Sequence, residues 1–134
     1  MGIYENTYVY YGRMLRPETK ARMPPEAGPF LTKMGEHWML AAPSRRVCCT
    51  PYRVIEGRPI MRLENIAWAD VERALSHDKL ERWNSAPESE LAELERLVAI
   101  AGAAEKPGVY VASVSCSTYS LEDDSTLDRN VRVD

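Results

Sequence analysis

Residues 3–12, IYENTYVYYG, place apolar side chains on both parities of an extended chain: Tyr4, Tyr8 and Tyr10 share one side with Asn6, and Ile3, Thr7, Val9 and Tyr11 share the other with Glu5. This density of β-branched and aromatic residues predicts a strand, and period-2 alternation defines its faces. Neither face is plainly polar, so the strand belongs inside a sheet or at an interface. Thr7, Val9 and Tyr11 suit a core. Tyr4, Tyr8 and Tyr10, larger and tipped with hydroxyls, suit a contact surface.

The pattern then breaks. Pro17 fits a first helical position and Pro24-Pro25 forbids continuation, which predicts a short helix over 17–23. PPEAGPFLTKMG, 24–35, reads as a loop. EHWMLAA (36–42) is a short apolar strand, Pro43-Ser44 a turn, and RRVCCTPYRVIEG and RPIMRL two further strands, making an antiparallel meander over 37–63. Pro51 cannot donate to a ladder and marks an edge or a bulge.

Helical spacing returns with Trp68, Val71 and Leu75 over 66–75, and resumes through Leu80 and Trp83 after Ser76-His77-Asp78. Ser85-Ala86-Pro87-Glu88 matches a capping box, followed by the stripe Leu91, Leu94, Leu97, Val98 and Ala101, with Gly102 near the stop. VYVASVSCSTYSL (109–121) is a last strand whose even positions Tyr110, Ala112, Val114 and Cys116 face inward. EDDSTLDRNVRVD reads as an acidic tail. The expected organisation is one α+β domain over 1–121, a four- to five-stranded antiparallel sheet with two helices on one face, and a tail over 122–134. The element order is compatible with a βαββαβ arrangement resembling the ferredoxin-like fold.

Composition is that of an ordinary globule: 134 residues, 45% hydrophobic and 28% charged. The longest apolar run, 97–104, is too short to suggest a membrane span. Cys48 and Cys49 are adjacent, with Cα atoms about 3.8 Å apart where a disulfide wants roughly 4.4–6.8 Å. With Cys116 the only other cysteine, one thiol always stays free, and the expected compartment is the reducing cytoplasm. Charge divides the chain. Residues 1–66 hold ten basic residues against six glutamates, a net of +4, and the remainder nets −7.

No CxxC, HxxxH or phosphate-cradling glycine motif occurs, so neither a metal nor a cofactor is expected. The arginines carry more information. Arg13 follows the first strand, and Arg46, Arg53, Arg58 and Arg62 lie in the meander, where one sheet surface brings several together with Tyr4, Tyr8 and Tyr10. Tyr and Arg are the residue types of energetic centres in protein interfaces. The leading expectation is therefore a non-catalytic protein whose Tyr/Arg sheet face holds another protein or a second copy of itself as a homodimer. It would serve as adaptor or inhibitor, like the blocking proteins that phages encode. Two alternatives use the same residues: a nucleotide or single-stranded nucleic-acid binder with tyrosine stacking, and a small nucleotide-modifying enzyme in which Arg13 or Arg53 meets Glu64 or Glu122.

Overall fold

The computed structural model describes residues 4–49, 54–55, 58–59, 65–102, 106–116 and 125–133. Its centre is strand β1 (Tyr4–Leu15), which pairs antiparallel with β3 (His37–Cys49) on one side and with β6 (Gly108–Cys116) on the other. β2 (Leu31–Met34) adds beyond β3, and β7 (Ser125–Arg132) beyond β6. The five strands run in the order β2-β3-β1-β6-β7, every neighbouring pair antiparallel. β4 (Val54–Ile55) and β5 (Arg58–Pro59) form a separate two-stranded pair.

Among the described residues four helices join them: α1 (Pro17–Lys20), α2 (Trp68–Ala74), α3 (His77–Asn84) and α4 (Glu88–Ile100), with a 3-10 helix at Pro25–Phe30. Ser76 caps α3 by accepting from the Lys79 amide at 3.4 Å, and Asp70 folds back on the Ala67 amide at 2.9 Å to start α2. The capping box expected at Ser85 does not form. Ser85 closes α3, and α4 starts at Glu88 with Pro87 in the cap position.

Odd positions of β1 meet the helices. Val9, Val47 and Val111 pack with Ile66, Val71, Leu75 and Trp83, while Leu15, Leu40 and Ala42 pack with Phe30, Leu94, Leu97 and Val98. The other face forms a second core of Tyr10, Met34, Met39, Ala41, Ala112 and Val114. An open sheet would leave that face wet. Here the sheet curls until diagonally opposite corners touch: the Gly35 amide, in the β2–β3 turn, donates to Ser125 Oγ at 2.9 Å. Gly35 takes φ +66°, and a Cβ there would stand 2.9 Å from the Ser125 carbonyl oxygen, so glycine serves both the turn and the approach.

The bend has a local cause. Tyr10 pairs with Arg46 and Gly12 with Ala41, so Tyr11 alone stands opposite residues 42–45. Pro43-Ser44 is thus a bulge within one long strand, not the turn expected between two; a bulge adds twist and bends the chain. The backbones close tightly beside it, and a Cβ on Gly12 would lie 1.8 Å from the Leu40 carbonyl oxygen. Two further expectations are corrected. LTKM, read as loop, is β2, and most of the supposed acidic tail is β7, whose Val131 packs into the helix-side core. The rest of the expected meander, at 50–53, 56–57 and 60–63, lies outside the described residues.

Candidate functional site

Cross-strand pairing builds one row over four strands: Arg46 on β3, Tyr10 on β1, Tyr110 on β6 and Arg132 on β7 are successive partners. Directly opposed residues share a face, so this row lies opposite the helices. The next row is Cys48, Tyr8, Ala112 and Asn130.

Tyr10 is the floor of the arrangement. Its side chain is completely buried, its ring stacks on Tyr110 with centroids 5.7 Å apart and planes 20° apart, and its hydroxyl donates to Asn130 Oδ1 at 2.5 Å. Burial pushes its phenol far above the ordinary value of 10.0, with the Asn130 bond opposing. The expectation that Tyr10 faces a partner is therefore corrected: curling of the sheet takes its ring into the interior. Tyr8 and Tyr110 are half-buried at the rim.

Arg46 is half-buried, and its Nη1 donates to Thr32 Oγ1 at 2.8 Å. Burial and the neighbouring Arg82 lower its pKa, while Glu90 acts the other way. Arg82 in turn donates to the Arg46 carbonyl at 3.1 Å. Adjacent Arg45 turns to the helices instead: its Nε donates to the Trp83 carbonyl at 3.1 Å, and its guanidinium lies 5.2 Å from the Tyr11 ring centroid. Glu90 of α4 fastens the bulge at 42–45, its Oε1 accepting from the Ser44 amide at 3.2 Å and the Ser44 hydroxyl at 3.1 Å. At the other end of the row Arg132 is exposed.

Arg13 sits half-buried on β1 opposite Leu40. Tyr4 and Arg58 have their backbones in β1 and β5, but their side chains are not among those described; Arg53 and Arg62 lie outside the described residues, as do Glu64 and Glu122. The structure thus gathers Tyr8, Tyr10 and Arg46 as the sequence suggested, and adds Tyr110, Asn130 and Arg132, which sequence reasoning missed. The signal for the last two was present. Leu127, Val131 and Val133 alternate with polar residues through the segment, and its charge obscured them.

Electrostatically the two sides differ. No carboxylate occurs among the described residues that the register and the second core put on the row's face, whereas residues 68–100, which hold α2, α3 and α4, carry eight acidic residues against four basic ones. Ile100 is the one large hydrophobic residue exposed among those described, at 44%. No group of three or more His, Cys, Asp or Glu side chains suited to a metal occurs among the described residues, and no helix of theirs is long and apolar enough to cross a membrane.

What the fold and this face define is a class: an α+β chain with a cationic, tyrosine-bearing rim on the side away from its helices. No protein-family model, curated protein or solved structure matches the chain.

Proposed function

We propose that this is a small non-catalytic binding protein that holds an acidic protein partner against the rim formed by Tyr8, Arg46, Tyr110 and Arg132, as an adaptor or an inhibitor. The single observation that carries the reading is the Arg46-Tyr10-Tyr110-Arg132 row on a face without carboxylates among the described residues. Aromatic rings preorganised by stacking lose little entropy on contact, and flanking arginines select an acidic surface. A second copy of the chain is a partner of the same kind, since its helical side carries the excess of acidic residues. Exposure of the Cys48 thiol accords with work in the cytoplasm. The strand order β6-β1-β3-β2, with the α1 and 3-10 segment between β1 and β2 and the helices between β3 and β6, supports a ferredoxin-like βαββαβ unit extended by β7.

The test is affinity capture from the native host with wild-type protein and with Tyr110→Ala/Arg132→Ala as baits. A protein captured by wild type and released by the double variant supports the reading; identical captured sets refute it. The row also favours a second reading, a single-stranded nucleic acid stacked against Tyr110. A dT12 oligonucleotide bound with a steep inverse dependence on salt would install that reading in place of the first.

A further inference from the structure

Away from that rim, the prolines that follow α1 shape a second feature. Pro24-Pro25 turns the chain from α1 into the 3-10 helix, and the two segments wall a groove of about 280 Å³ over β2 and β3. Met23, Pro24, Leu31 and Trp38 give it an apolar lining, Gly28 leaves one wall bare, and Lys20 is the only charged residue among the described ones that line it. The Lys20 ammonium stands 4.2 Å from the centroid of the Trp38 ring. The ring attracts the cation through its quadrupole but accepts at most weakly, so the three N–H donors still call for oxygen acceptors. Among the described residues no carboxylate lines the groove. Glu26, on the 3-10 helix beside it, is held by Arg96 at 3.3 Å.

We infer that this groove is a binding site for a small monocarboxylate with an apolar or aromatic body, its carboxylate taken by Lys20 and its body laid against Trp38, Met23 and Leu31. The size supports a compact ligand, because the groove falls just below the roughly 300–1,000 Å³ typical of ligand sites. Charge complementarity selects an acid, since a charge-assisted bond to an ammonium is about twice as strong as a neutral one. The site shares none of the row's four residues, and its occupation does not depend on the proposed partner.

Gly28 supplies a clean probe of the groove. A Cβ built there meets nothing within 4 Å, and its φ is not in the left-handed region, so position 28 admits a side chain without a Cβ clash, and Gly28→Trp adds bulk to the groove's own lining. The experiment titrates phenylacetate and its neutral isostere phenylacetamide into 15N-labelled protein, reading the Trp38 indole signal, assigned with Trp38→Phe. Phenylacetate is expected to shift that signal saturably, at least tenfold more tightly than phenylacetamide. Lys20→Met should weaken phenylacetate at least tenfold, and Gly28→Trp should abolish the shift while melting like wild type. Should Gly28→Trp fail to fold, the Lys20→Met and amide comparisons decide alone. Equal affinity for acid and amide, a shift surviving in folded Gly28→Trp, or no saturable shift overturns the proposal. Stronger perturbation of the same signal by an Asp/Glu-rich peptide overturns it in favour of a peptide groove.

Discussion

Replacing Gly12 by alanine places a Cβ 1.8 Å from the Leu40 carbonyl oxygen and 2.8 Å from the Ala41 Cα. Both are backbone atoms of the neighbouring strand, so no rotamer change relieves the clash, and β1 and β3 have to part by about an ångström beside the bulge. Overpacking of this kind costs about 1–3 kcal/mol. Each interstrand hydrogen bond broken by the parting adds about 0.5–1.5 kcal/mol. The total is of order 2–5 kcal/mol, a large share of the roughly 5–15 kcal/mol that holds a domain folded. At about 4 °C per kcal/mol for a chain of this size, the melting temperature should fall by roughly 8–20 °C. Far-UV circular dichroism melts of Gly12→Ala read the effect. Gly28→Ala is the matched control, because its methyl group enters open space and should change stability by less than about 0.5 kcal/mol. If the two variants melt within a degree or two of each other, the close approach of β1 to β3 is wrong, and with it the account of the bend.

Leu94→Ala empties a fully buried position between α4 and the sheet and should cost about 2–5 kcal/mol in urea unfolding; an unchanged midpoint would refute that packing. Tyr10→Ala should likewise destabilise by about 3–5 kcal/mol, since its ring belongs to the second core. Tyr10 also predicts a pH dependence. Its folded phenol titrates well above the ordinary value of 10.0, so above that pH the unfolded chain releases a proton that the folded chain keeps. Stability is full below the ordinary value and falls by about 1.4 kcal/mol per pH unit above it. Urea titrations at rising alkaline pH should show Tyr10→Phe losing less than wild type; parallel losses would refute the burial of the hydroxyl.

Local patterning made much of this fold legible. The aromatic first strand and the Leu94-Leu97-Val98 stripe stand where period puts them, whereas α1 stops at Lys20, ahead of the expected end at Met23, and the break expected over 76–78 narrows to Ser76, with His77 already helical. What escaped was non-local. LTKM reads as loop because it is short and follows four prolines, and it becomes a strand only because β3 lies beside it. Acidic residues hid the strand alternation of Leu127, Val131 and Val133. The fate of Tyr10 depended on curvature, which arises from a four-against-one mismatch between two strands distant in sequence. Parity did assign Val9 and Tyr11 to the helices and Tyr8 and Tyr10 to the opposite face, but it could not say that the opposite face closes. The site was legible to the same extent: Arg46 by type, Tyr8 and Tyr10 by type and parity, Tyr110 and Arg132 only through register.

The face away from the helices is sealed at its centre, where Tyr10 is buried, and open at its rim, where Tyr8 and Tyr110 are half-buried. Paramagnetic solvent relaxation of protein labelled with 3-fluorotyrosine reads this directly, with each signal assigned by a Tyr→Phe variant. The Tyr10 signal should be untouched by a soluble paramagnet at concentrations that broaden those of Tyr8 and Tyr110. Equal broadening of Tyr10 and Tyr110 would contradict the curled sheet and the rim built upon it.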